Sequence, residues 1–151
     1  GKTVDLGFVG DIVSVNKDII LKACEEGKVP VVAPIGVDEQ GQLYNINADL
    51  MAGELSAAIS AEKMVYLSDI PGILKDINNP ESLMTTLKKS QIDELISGGV
   101  ISGGMIPKIQ SCIKSMDAGA KKTHIIDGRL QHSLLLEIFT DRGVGTEIVQ
   151  G

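Results

Sequence analysis

Residues 47–72 read NADLMAGELSAAISAEKMVYLSDIPG, and this stretch decides the fold. Asn47 is a side chain that caps helices, and Asp49 in the following turn complements the positive helix end. Met51, Leu55, Ala58 and Ile59 recur at helical spacing and carry the helix to about Ala61. Directly after it, Met64-Val65-Tyr66-Leu67 is a short apolar run of the kind that forms a buried strand. It closes on Ser68-Asp69-Ile70-Pro71-Gly72, where Pro71-Gly72 suits the centre of a type II turn.

The same alternation continues in both directions. Upstream, Phe8–Val15 reads as a strand or hairpin around Gly10-Asp11, and Asn16 can cap a helix that stops at Gly27. Val29–Gly36 (VPVVAPIG) reads as a strand buried on both faces, Asp38–Gln42 as a turn, and Leu43–Ile46 as a further strand. Downstream, Lys75–Pro80 is a polar surface loop, Ser90–Ile96 a helix, and Pro107 to about Ala118 a longer helix. Thr123–Ile126 is a strand, Ser133–Phe139 a helix, and Thr146–Val149 a last strand. Strands separated by helices require right-handed crossovers, which predicts an α/β protein: a three-layer α/β/α sandwich on a mainly parallel open sheet. At 151 residues, without a repeat or linker, positions 1–151 read as one domain.

Composition narrows the function. A formal net charge of −6 argues against nucleic acid and anionic membranes as partners. No apolar run approaches the roughly 20 residues of a membrane span. The opening GKTVDLGFVG is too polar for a secretion signal and lacks Met, so a processed or excised piece is expected. Cys24 and Cys112 each fall in a helical apolar stripe, which reads as buried thiols in a reducing cytoplasm. Gly1-Lys2-Thr3 is not a phosphate loop, because the upstream glycine and strand are missing. His124, in a strand, reads as structural, and no Cys/His cluster points to a metal.

Three segments lie where open α/β sheets bind ligands, beyond the carboxyl ends of strands. In Tyr44-Asn45-Ile46-Asn47-Ala48-Asp49, a plain helix start explains Asn47 and Asp49 but leaves Asn45 without a role. Two Asn and an Asp at alternate positions also suit a polar substrate. In Ser68–Leu74, the turn explains Pro71-Gly72 but not the return to apolar Ile73-Leu74, which could flank a base. In Gly103-Gly104-Met105-Ile106-Pro107-Lys108, Pro107 is favoured at the first helical position, which puts Lys108 in the first turn. A cation is disfavoured there unless an anion sits beside it, and glycine-rich helix starts hold phosphates. Lys108 would then neutralise a transferring phosphoryl group.

Together VDLGFVGDIVSVN (4–16), YNINAD (44–49), YLSDIPGIL (66–74), GGVISGGMIPK (98–108) and HSLLLEIFTDRGVGT (132–146) resemble the C-terminal half of the acetylglutamate kinases, a branch of the amino acid kinase family. The resemblance implies the ATP-binding lobe of an arginine-biosynthesis enzyme that phosphorylates the side-chain carboxylate of N-acetyl-L-glutamate. On that pattern Lys108 is the lysine that stabilises the transition state, Asp49 orients the catalytic lysines, and Asn45 contacts the substrate. Ser68, Asp69, Ile70, Pro71, Gly72, Ile73 and Leu74, with Val100, Ile101 and Ser102, would contact ATP. Mg2+ would be carried by the nucleotide, with no metal held by the protein. The family's N-terminal lobe, with its phosphate loop and first catalytic lysine, has no counterpart here, so the piece alone is expected to be inactive.

The tail resembles the arginine-inhibited members, which implies a feedback site at His132, Glu137, Gly143 and Gly145. Its plain alternative is an amphipathic helix with Leu135 and Phe139 inward. A PII-type regulator, a homo-oligomer when full length and a cytoplasmic location are further implications of the resemblance. Competing readings are a lobe of a glutamate, aspartate or carbamate kinase, a non-catalytic arginine-binding module, or a bare folding unit.

Overall fold

The computed structural model describes residues 7–140 and 143–151. The Gly1-Lys2-Thr3 reading, the Val4-Asp5-Leu6 start of the first matching stretch, and Asp141-Arg142 of the last lie outside the described residues.

The elements run α1 (Lys17–Glu25), β1 (Ile35–Val37), β2 (Leu43–Asn45), α2 (Ala48–Ala58), β3 (Lys63–Ser68), β4 (Thr86–Lys88), α3 (Ile92–Ser97), α4 (Met105–Asp117), β5 (Lys122–Asp127), α5 (Ser133–Phe139) and β6 (Thr146–Val149). Single 3-10 turns at Pro80–Ser82 and Lys89–Gln91 flank β4. The main sheet has the order β3-β5-β6-β4. The outer pairs β3·β5 and β4·β6 are parallel and the central β5·β6 pair is antiparallel. The sheet is therefore mixed, with mostly parallel pairs, and helices cover it.

Strand alternation distributes the two faces. Met64 and Tyr66 on β3, in register with Thr123 and Ile125 on β5, meet Ile109, Cys112 and Met116 of α4 in the main core. Lys63 and His124, on the opposite face, meet Glu137 of α5. That second face is thinly covered, and Leu67 on it is half exposed. Helices α2 and α4 pack closely because their contact is built from small residues. A methyl added at Gly53 would lie 2.8 Å from Ser111 Cβ, and the buried Ser56 and Ser115 hydroxyls bond to each other one turn on.

Several expectations change. Only Ile35 and Gly36 of the 29–36 stretch fall in a strand, β1, and Val29 and Val31 are 88% and 95% exposed. An apolar run predicts burial only if another layer arrives to cover it, and none of the described residues does so. Phe8–Val15 contributes a single parallel bridge, Val9 to Asn45. Gly27 ends α1 as expected, at φ +74°, with its N–H and that of Lys28 returning to Cys24 and Ala23 carbonyls. Asn16 makes no side-chain cap, no residue of α1 is buried, and Cys24 is exposed rather than buried. In α2 the buried residues are Gly53 and Ser56, not the Met51/Leu55 stripe, because α4 demands small side chains. Helix α4 starts at Met105, which makes Pro107 its third residue, where its missing N–H still costs no internal bond.

Candidate functional site

The Asn47 side-chain oxygen accepts from the N–H groups of Asp49 and Leu50, which fixes the start of α2. Gly103, at φ +54°, turns the chain into α4. The close α2·α4 contact then brings the two helix starts together. Lys108 Nζ donates to both Asp49 oxygens, at 2.8 Å each. About a fifth of each side chain remains open to water. The pair is partly desolvated yet reachable, and Asp49 supplies the counter-charge that a cation at a helix start lacks.

Beneath the pair lies Tyr66, near the carboxyl end of β3. Its hydroxyl donates to the backbone carbonyl of Asp49 at 2.7 Å, and Lys108 Nζ stands 5.7 Å from its ring centroid. Burial holds the phenol well above its usual ionisation range, so it stays a donor. Burial likewise pushes the Cys112 thiol up to about 12, which leaves it inert.

The loop after β3 is anchored from below. Gly72, at φ +141°, passes so close to β6 that an added methyl would sit 2.6 Å from Thr146 Oγ1, and that hydroxyl accepts from the Ile73 N–H at 2.8 Å. Ser68 is buried and donates to Asp69, whose own side chain is exposed. The Ile73 and Ile101 side chains belong to the core, at 3% and 1% exposure, so only their backbone could meet a ligand. Ile70, Pro71, Leu74 and Val100 are half-buried and Ser102 is exposed. Asn45 bonds through its backbone to Phe8 and Gly10 while its side chain faces water. Beyond β5, Arg129 holds the Asp127 carboxyl down at about 2, and Asp127, with a smaller contribution from Asp69, pushes the guanidinium up.

A cleft of about 880 Å³ lies away from the Asp49–Lys108 pair, on the α5 face of the sheet. Lys63, Lys122, His124, Glu137, Gly143 and Gly145 are among its walls. The buried Glu137 carboxylate accepts from His124 Nδ1 at 2.5 Å, Lys63 Nζ at 3.4 Å and the Val144 N–H at 3.0 Å. Burial, with Lys63 and Lys122 nearby, holds the imidazole below its usual pKa despite that carboxylate. Buried Nε2 has no hydrogen-bond partner among the described residues. Gly145 needs its missing side chain: at φ +103°, an added methyl would lie 2.2 Å from the Ile125 carbonyl oxygen. His132 is exposed at φ +61° and lies outside the cleft. Leu135 and Phe139 are 52% and 77% exposed; the buried residues of α5 are Ser133 and Glu137, the latter because its partners lie inside.

Sequence reasoning reached Asp49 and Lys108 through their helix starts and missed Tyr66, Lys63 and Lys122. Tyr66 sits inside an apolar run and reads as filler. Its alternation with Met64 gave the face, but nothing local signals a bond to a helix 17 residues earlier.

The description "Amino acid kinase family" belongs to the family model that matches residues 1–127. The acetylglutamate kinase of Moorella thermoacetica is 56% identical over 148 residues, 98% of this chain and 50% of that protein. The chain spans about half the length of the curated relatives it matches. Among solved structures, N-acetylglutamate synthase from Neisseria gonorrhoeae, complexed with coenzyme A and L-arginine, superposes with a TM-score of 0.86 at 25% identity, over 98% of this chain and 34% of that one. The smu.665 protein of Streptococcus mutans superposes with a TM-score of 0.78 at 30% identity, over 96% of this chain and 52% of that one.

Proposed function

This chain belongs to the amino acid kinase family, and from that premise we propose that it is the ATP-binding half of an N-acetyl-L-glutamate kinase. The full enzyme would move the γ-phosphoryl group of ATP to the side-chain carboxylate of N-acetylglutamate. The bond to the β-phosphate oxygen breaks, an acyl phosphate forms and ADP leaves. The observation that carries the reading is the Lys108–Asp49 pair at two converging helix starts. Phosphoryl transfer asks a protein for position and positive charge more than for covalent chemistry. Lys108 would stabilise charge on the transferring group, Asp49 would aim it, and Asn45 would contact the acceptor. Residues 68–74 and 100–102 would hold ATP, whose Mg2+ arrives with the nucleotide. The names of the relatives support the acceptor, and the half-length match supports an N-terminal half that completes it. The 151 residues by themselves would then turn over no substrate.

Calorimetric titration of MgATP into the purified chain, repeated with Lys108→Ala and Asp69→Ala, tests this. Saturable one-site binding that weakens in both variants supports the assigned loops. A folded chain whose binding is indifferent to both substitutions removes the assignment.

A second reading concerns the α5-face cleft. A buried carboxylate beside two lysines suits an amino acid with a cationic side chain, and a structural relative was solved with L-arginine. Glu137 would take the guanidinium at the expense of its Lys63 contact, so the site would be a feedback site for arginine. Thermal stabilisation of the chain by arginine, lost in Glu137→Gln, is the expected outcome. Equal stabilisation of both proteins would remove the site.

A further inference from the structure

Tyr66 belongs to β3, yet it touches both halves of the ion pair that α2 and α4 bring together. Tyr66 is 7% exposed, and its hydroxyl donates to the Asp49 carbonyl with the Ser111 side chain beside it. That carbonyl lies in the first turn of α2, where the helix already offers it an internal donor. The second donor therefore adds no satisfaction that α2 lacks; it adds a tether from helix to sheet. The α2·α4 contact includes the small residues Gly53, Ser56, Ser111 and Ser115, a Ser56–Ser115 hydrogen bond and the Lys114–Glu54 ion pair, and none of these ties either helix to the sheet. The ring face meets the Lys108 ammonium at 5.7 Å, within the range of cation–π attraction. Two residues further along β3, Ser68 opens the loop assigned to the nucleotide.

Building on the kinase reading above, we infer that Tyr66 is a positioning residue, which fixes the Asp49–Lys108 pair relative to the loop that carries the nucleotide. It touches no reacting atom. Its effect falls on the rate of the chemical step, because misplacing a charge by a fraction of an ångström weakens transition-state contacts more than ground-state ones.

The test uses the full-length kinase that contains these residues, with Tyr66→Phe, Tyr66→Leu and, as a control, Met64→Ala on the same strand face. Tyr66→Phe keeps the ring under Lys108 and removes only the tether. It is expected to lower kcat about five- to tenfold with KM for ATP and N-acetylglutamate within twofold. Tyr66→Leu, which also loses the ring, is expected to fall further at similar KM. Met64→Ala is expected to lower Tm more than Tyr66→Phe while kcat stays within twofold. Unchanged kcat in Tyr66→Phe overturns the positioning role alone, as does an equal kcat loss in Met64→Ala. A wild-type enzyme without N-acetylglutamate-dependent ADP release overturns the kinase reading and this role together.

Discussion

Charge at Lys108 and charge at Glu137 are handled in opposite ways. Lys108 meets one carboxylate and keeps about a fifth of its surface in water, so it can exchange Asp49 for a more highly charged anion. Glu137 is enclosed and held by three donors. Asp49→Asn preserves the shape of the first pair and deletes its counter-charge. It should cost about 1–3 kcal/mol in urea unfolding, since a charge-assisted bond to a half-buried group is lost. The second cluster has a pH signature. His124 is held below 6.5 in the folded chain, so the unfolded chain takes the proton first as pH falls. Its contribution is complete above 6.5 and is lost progressively below it. Tm should therefore drop between pH 7.5 and 5.5, and His124→Gln should flatten that slope; an unchanged slope in the variant would place the titration elsewhere.

Elements form here where a local signal and a distant partner agree. The Asn47 cap, the Gly27 stop, the β3 and β5 apolar runs and the α5 boundaries are all readable, because each signal lies within a turn of the residue it governs. Strand β4 is not: Thr86-Leu87-Lys88 has one apolar residue and becomes a strand by pairing with β6. The 29–33 run fails in the reverse direction, having the composition of a strand but mostly exposed side chains. The site divides likewise. Asp49 and Lys108 announce themselves at helix starts, whereas Tyr66 and His124 acquire partners across the fold. The α2·α4 contact offers a direct check. Gly53→Ala gains helix propensity but drives a methyl to 2.8 Å from Ser111 Cβ. It should destabilise by about 1–2 kcal/mol, as overpacking does. Adding Ser111→Gly should recover part of that loss; purely additive losses in thermal unfolding would mean the two sites do not touch.

Across the whole molecule, apolar exposure is unevenly shared. Val13, Val29, Val31, Ile35, Val37 and Leu43 are all more than half exposed, and all precede the core that starts at Ile46. Exposed large apolar side chains concentrated in one part of the chain favour association. The purified chain should sediment as concentration-dependent species, and Val29→Lys with Val31→Lys should reduce association without lowering Tm. A monodisperse wild-type monomer would contradict this. No helix of the described residues is long and apolar enough to cross a membrane. A different consequence comes from the place of β6. It is the last strand along the chain but lies inside the sheet, between β5 and β4. Synthesis proceeds from the N-terminus, so every nascent chain that stops before Thr146 carries an open seam down the middle of its sheet. Ribosome-bound chains ending at Gly145 should be cut readily by added protease near β4, and those extended past Gly151 into the solvent should resist. For this fold, the sheet closes only once β6 has left the ribosome tunnel.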